Sequence, residues 1–171
     1  MSRYDGFEEF VAGQGAALSR TAFFLTGDLS GAEDLLQDAL VATAKRWPDL
    51  RRDGNPLAYA KQVMLNRARS SWARRRRRPE QPLSEEVQVA AADPAAKVAD
   101  GIVLAAALRR LAPRQRAVLY LRFYEDQSVE RTAELLGCSP GTVKSQTSDA
   151  LGRLRALAPS LLPDYAGEVP E

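Results

Sequence analysis

Residues Ser128 to Leu157, SVERTAELLGCSPGTVKSQTSDALGRLRAL, read as two helices joined by a short turn, and that reading decides the fold. Ser128 can cap the first helix, because a hydroxyl oxygen accepts one of the backbone N–H groups left orphaned there. Glu130 suits the positive helix end. Ala133 is small enough for a second helix to cross closely, and Leu135 and Leu136 supply a buried face. Gly137 can take the left-handed conformation that ends a helix, so Cys138-Ser139-Pro140-Gly141 is expected to form the turn. Val143, Ala150, Leu151 and Leu154 then recur as the core side of a second helix. Ala133, Gly137 and Val143 stand at the spacing a helix-turn-helix requires. Thr142, Lys144, Ser145, Gln146 and Ser148 are left for an exposed face that can enter a DNA major groove. An ordinary helical hairpin is the plain alternative.

Working outward, the same period continues through the chain. Phe7, Phe10, Val11, Leu18, Ala22 and Leu25 predict a helix from about Gly6 to Thr26. Ser30-Gly31-Ala32-Glu33 matches a capping box for the next helix, whose apolar stripe is Leu35, Leu36, Ala39, Leu40, Thr43 and Trp47. Its other face carries Asp34, Gln37, Asp38, Val41 and Lys45. Pro48 is expected to stop it, leaving Pro48 to Gly54 as a short polar loop. Asn55-Pro56 supplies a cap and a first-turn proline for a long helix. That helix runs through Leu57, Ala60, Val63, Met64, Ala68 and Trp72 into five arginines, Arg74 to Arg78. Lys61, Gln62, Leu65, Asn66 and Arg69 are expected on its opposite face.

Pro79 to Ala92 shows no sustained periodicity and is read as a linker. Asp93-Pro94 and Pro113 can each open a further helix, the first reaching Leu111 and the second running through Val118, Leu121 and Phe123-Tyr124. The expected architecture is all-α: two small helical domains, 1–78 and 100–158, a flexible linker at 79–99 and a tail at 159–171.

Composition narrows the function classes. The chain has one cysteine, Cys138, and no histidine, so it offers neither an internal disulfide nor an imidazole base or metal ligand. No stretch of about 18 apolar residues exists to span a membrane, and MSRYDGFEEF lacks a signal-peptide core. The expectation is a cytoplasmic protein that is not an enzyme and holds no cofactor or metal. Net charge is +2 but uneven: Arg51 to Arg78 carries ten basic residues against one acidic, while Met1 to Leu50 has four against eight. Such blocks suggest one surface for polyanions and another for different partners. Five consecutive cations repel one another unless solvated or neutralised by phosphate. Asp34 and Asp38 can be a docking face, a solvated face or, least favoured, a metal-dependent nuclease site. Trp47 and Trp72 can be core, or can stack on unpaired bases.

Three stretches in this order resemble one family, the bacterial RNA polymerase sigma factors of the two-domain extracytoplasmic-function class, in its actinobacterial-type subgroup. AEDLLQDALVATAKRW (Ala32 to Trp47) is similar to the family's polymerase-core-binding segment. NPLAYAKQVMLNRARSSWARRRRR (Asn55 to Arg78) resembles its minus-ten element helix, and Leu111 to Leu157 its minus-thirty-five element domain. The resemblance implies a transcription initiation factor with polymerase core, promoter DNA and an anti-sigma factor as partners. It implies core docking through Asp34, Leu35, Gln37, Asp38, Val41 and Lys45. It implies minus-ten contacts from Trp47, Arg51, Arg52 and Asn55, where the loop captures a flipped base, and from Lys61, Gln62, Asn66, Arg69, Arg74 and Arg75. Upstream contacts fall to Ser139, Thr142, Lys144, Ser145, Gln146, Ser148 and Arg153. Asp149 stands where the family often has arginine, which weakens any phosphate contact expected there. The 22 residues from Pro79 to Asp100 reach about 70 Å at ~3.3 Å each, matching two DNA turns at about 34 Å per turn. A stand-alone helix-turn-helix regulator is the alternative, but no heptad or extra domain supplies the dimer interface it would need.

Overall fold

A computed structural model describes residues 3–77 and 96–161, and the chain divides into two compact units, Met1–Gln81 and Pro82–Glu171. The described residues are helical and contain no strand. In the first unit, α1 (Phe7–Thr26), α2 (Leu29–Lys45) and α4 (Pro56–Arg77) pack on one another, with the short α3 (Trp47–Asp53) between α2 and α4. The core gathers Leu18, Ala22 and Leu25 of α1 with Leu35 and Ala39 of α2. To these it adds Trp47 and Leu50 of α3 and Ala60, Met64, Leu65, Ala68 and Trp72 of α4. Two threonines are buried there without cost in unmet polarity, because Thr21 Oγ1 donates to the Ala17 carbonyl and Thr43 Oγ1 to the Ala39 carbonyl.

Several helix boundaries differ from the sequence reading, each for a local reason. α2 begins at Leu29 because Asp28, in extended conformation, accepts the Gly31 N–H at 2.7 Å. Asp28 is therefore the cap, and the Ser30–Glu33 capping box does not form. Pro48 does not end a helix; it sits in the first turn of α3, where its missing N–H is not needed. The expected Pro48–Gly54 loop is therefore mostly helix, closed by Gly54 N–H donating to the Leu50 carbonyl. The capping role of Asn55 holds: its Oδ1 accepts the Ala58 N–H at 3.0 Å.

The second unit comprises α5 (Ala96–Arg109), α6 (Pro113–Leu119), a π-helical turn (Tyr120–Tyr124), α7 (Val129–Leu136) and α8 (Pro140–Leu157). α8 packs against α5, α6 and α7. α5 stops at Arg109, short of Leu111, and the described part of the chain begins after the Asp93-Pro94 start signal. The regular helix expected through Tyr124 widens instead: Glu125 N–H donates to the Tyr120 carbonyl, five residues back. Tyr120 and Tyr124 stack at 5.5 Å, and the Tyr120 hydroxyl donates to Glu125 Oε1 at 2.7 Å. Both contacts favour the widened turn, which leaves Phe123 and Tyr124 exposed. Of the expected linker, 79–99, residues 96–99 are instead the first turn of α5, and of the expected tail, 159–171, residues 159–161 form a turn; the remainder of both lies outside the described residues.

Candidate functional site

The helix-turn-helix is built from local signals. Ser128 Oγ accepts the Arg131 N–H and opens α7. Gly137 closes it at φ 64°, ψ 46°, with Cys138 N–H donating to Ala133 O and Gly137 N–H to Glu134 O. Those two bonds satisfy carbonyls the helix end would otherwise leave open, and the left-handed backbone they need favours glycine. The turn is shorter than expected. Ser139 is already the cap of α8, its Oγ accepting the Thr142 N–H at 3.1 Å, and Pro140 and Gly141 belong to the helix. Ser139→Ala is expected to cost about 1 kcal/mol of stability in this unit, read as a shifted denaturation midpoint.

Val143, Thr147, Ala150 and Leu154 form the buried seam of α8, and Thr147 Oγ1 is satisfied by the Val143 carbonyl. Ser139 and Thr142 share a hydroxyl hydrogen bond at 2.9 Å, and Ser145 Oγ donates to the Thr142 carbonyl. These three hydroxyls of the predicted set are therefore partly committed to the helix start. Lys144, Ser145 and Ser148 are exposed and Thr142 and Gln146 half-buried, on the sides of α8 away from the seam. Asp149 is exposed among them. Arg153 lies farther along α8 and donates to the Arg110 carbonyl at 3.3 Å, tying α8 to the end of α5. Sequence reading missed Arg116: it is 4% exposed, and its guanidinium donates to the Leu111 carbonyl at 2.7 Å. Buried there, the cation satisfies the Leu108 and Leu111 carbonyls where the chain passes from α5 to α6.

In the first unit α2 carries the predicted docking strip. Asp34, Gln37, Asp38, Val41 and Lys45 are all exposed, and their spacing puts them on one flank about 16 Å long. Val41 is 54% exposed, an aliphatic at the centre of a polar strip. Leu35 does not belong to it; at 7% exposure it points into the bundle, as the apolar period requires. Asp38 is not solitary either. It forms an ion pair with Arg67 of α4, both side chains about half exposed. A different flank of α2 borders an apolar groove against α1, lined by Phe23, Phe24, Leu29, Ala32 and Leu36.

The predicted minus-ten residues separate into two groups. Trp47 is 3% exposed: Phe7 meets it edge-on at 5.1 Å, Phe10 packs at 5.3 Å, and its Nε1–H donates to the Asp5 carbonyl at 2.8 Å. Its ring has no face left for a base, so the stacking assignment gives way to core. Arg51 also donates to Asp5 O, at 2.9 Å, and Arg52 pairs with Asp53 at 2.6 Å; both arginines remain exposed. Asn55 is exposed with its amide oxygen engaged as the α4 cap. Along α4, Gln62 and Asn66 share one strip, joined by Gln62 Nε2–H donating to Asn66 Oδ1 at 3.0 Å. Arg69 follows on the same side, half-buried, and Arg74 and Arg75 are exposed beyond it. Leu65, expected on the outer face, is 5% exposed and in the core, and Lys61 beside it on that flank is only half exposed. Among the described residues no group of three potential ligands is arranged to hold a metal ion.

The described geometry thus comprises a polar strip on α2 and a basic polar strip on α4 in one unit, with a helix-turn-helix in the other. Known families match a stretch of each unit. Residues 14–78 match the model of sigma-70 region 2, and residues 102–154 match that of sigma-70 region 4. The RNA polymerase sigma-E factor of Streptomyces avermitilis is 42% identical over 149 residues, covering 87% of this chain and 83% of the relative. The ECF RNA polymerase sigma factor SigM of Mycobacterium tuberculosis is 29% identical over 151 residues, covering 88% and 76%. Among solved structures, the sigma factor RpoE of Bartonella quintana, crystallised with the anti-sigma factor NepR, superposes with a TM-score of 0.64. It is 25% identical and covers 90% of this chain and 96% of that one. The chain belongs to the RNA polymerase sigma factors, in their two-domain extracytoplasmic-function class, and serves as an alternative sigma factor that directs polymerase to promoters.

Proposed function

We propose that this sigma factor divides its work among three surfaces. The α2 strip docks on polymerase core, α3 and α4 hold the opened minus-ten strand, and α8 reads the minus-thirty-five duplex. The observation that carries the reading is the placement of the Asp34–Lys45 strip and the Gln62–Arg69 strip on one bundle, cross-linked by the Asp38–Arg67 pair. Docking on core through one strip would then orient the other. The segment between α4 and α5 serves as the tether between that unit and the helix-turn-helix. Chemistry stays with the polymerase, so the chain needs no catalytic residue or cofactor of its own, and it works in the cytoplasm. No helix among the described residues is long and apolar enough to cross a membrane. The anti-sigma partner of the Bartonella protein supports a partner of the same kind here.

Closed duplex exposes only groove edges, whereas an opened strand exposes base faces and pairing edges. Lys144→Ala and Gln146→Ala are therefore expected to weaken upstream duplex recognition by about 1–3 kcal/mol each. Asn66→Ala and Arg69→Ala are expected to impair strand opening instead, read by permanganate footprinting of thymines with holoenzyme. A premelted template should rescue the second pair more than the first. Equal rescue of both pairs overturns the division of labour.

A further inference from the structure

The upstream contacts read from the sequence leave out Asp149, yet it stands on the face of α8 that looks away from the fold. At about 100° per residue, Ser145, Ser148, Asp149 and Gly152 lie opposite the buried seam of Val143, Thr147, Ala150 and Leu154. All four are exposed, and Lys144 and Arg153 flank them on the two sides. Among the described residues, no hydrogen bond or ion pair engages the Asp149 carboxylate. Gly152 is an independent observation on the same face. Glycine weakens a helix interior relative to alanine, because it loses more backbone freedom on folding. A side-chain carbon added at Gly152 would nonetheless meet nothing within 4 Å, so packing inside the unit does not require the glycine. Together with Ser145 and Ser148 it keeps the outer face of α8 low around the carboxylate.

We infer that Asp149 reads a cytosine in the upstream promoter duplex, its carboxylate accepting the N4 amino hydrogen in the major groove. The inference rests on the reading of α8 as the helix that enters the minus-thirty-five duplex. Aspartate has a short side chain, so it touches the floor of a groove only where the helix lies deep, and the low surface around it allows that approach. Phosphates line the two walls of the groove, where Lys144 and Arg153 bring cations. A carboxylate midway between the walls is farthest from both rows, so it faces base edges rather than backbone. Among the four bases, cytosine alone offers an amino donor with no acceptor beside it on the same edge. Adenine sets N7 next to its amino group, guanine shows two acceptors, and thymine shows an acceptor and a methyl group. Ser145 lies about 6 Å earlier along the axis, which places the cytosine about two base pairs from the pair that Ser145 faces.

The test uses holoenzyme assembled from core polymerase and the full chain, selecting promoters from a randomised duplex pool. Wild type is expected to fix a cytosine at one position of the upstream element. Asp149→Ala should lose the preference at that position and keep the others. Asp149→Asn should shift it toward adenine, whose N6 and N7 suit the donor and acceptor of an amide. Replacing the selected cytosine by pyrimidin-2-one, which lacks the amino group, should weaken wild-type binding about 5- to 150-fold more than it weakens Asp149→Ala. If Asp149→Ala selects the wild-type element while Lys144→Ala or Gln146→Ala relaxes another position, the cytosine contact is refuted and the α8 reading stands. If all three variants select the wild-type element, the α8 reading falls and takes the contact with it. Tighter binding of Asp149→Ala to every sequence, with unchanged preference, would mean that the carboxylate only repels phosphate, which also refutes the contact.

Discussion

Replacing Trp47 with alanine is expected to destabilise the N-terminal unit by about 3–5 kcal/mol, the range for removing a large buried aromatic. The indole is 3% exposed and fills the space between α1, α3 and the N-terminal turn. Its removal deletes apolar burial, two aromatic contacts and the hydrogen bond to Asp5 O, while the Asp5 carbonyl keeps its bond from Arg51. For a unit of this size the loss lowers the melting temperature by at least about 12 °C, at roughly 4–8 °C per kcal/mol. Circular dichroism melting of the variant measures it. A base-stacking role makes the opposite forecast: unchanged melting, with defective strand opening alone. Phe7→Ala should reproduce part of the destabilisation, because Phe7 packs edge-on against the same ring.

The Trp47 result shows where sequence reading stops. The helix-turn-helix was legible because its signals are local: a hydroxyl cap at Ser128, a left-handed Gly137, a first-turn Pro140, and Val143 with Ala150 and Leu154 at helical spacing. Each acts within about five residues of its own position. The same holds for Asn55 and for the polar strip on α2. What the sequence hid depends on partners far along the chain. Trp47 is core because Phe7 and Phe10 reach it, some forty residues away. Asp38 pairs with Arg67, 29 residues on, and Arg116 looks like any surface arginine until the carbonyls of Leu108 and Leu111 are seen around it. Pro48 was ambiguous in principle, since a proline that ends one helix is equally suited to begin the next.

Two further misreadings came from periodicity itself. On α4 the buried stripe turns far enough to take in Leu65 beside Met64, which moves Lys61 toward the core and leaves Tyr59, Gln62 and Asn66 as the outer strip. A stripe about 100° wide admits a neighbour on either edge, and only packing decides which. At Tyr120–Tyr124 one extra residue enters the turn, and Phe123 and Tyr124 rotate to solvent. A regular 3.6-residue pattern cannot anticipate that insertion. Both cases shift which side chains face outward, and so bear on function more than on fold.

Reversing charge at the docking strip with Asp34→Arg and Asp38→Arg together is expected to weaken binding to polymerase core by about 100-fold or more. Two carboxylates, an amide and a central exposed valine call for a partner surface that is basic around an apolar patch. Placing arginines against such a surface creates like-charge contacts that cost several kcal/mol. Folding should be spared, because Asp34 and Asp38 lie outside the buried stripe of Leu35, Ala39 and Thr43. The loss of the half-exposed Asp38–Arg67 pair contributes at most about 1 kcal/mol, and Asp38→Asn measures that part alone. Competition for core against the wild-type chain reads the affinity, with circular dichroism melting run on the same variants. The deficit should shrink as salt rises, since screening weakens attraction and repulsion alike. Unchanged affinity of the double variant at low salt would remove α2 from the docking surface.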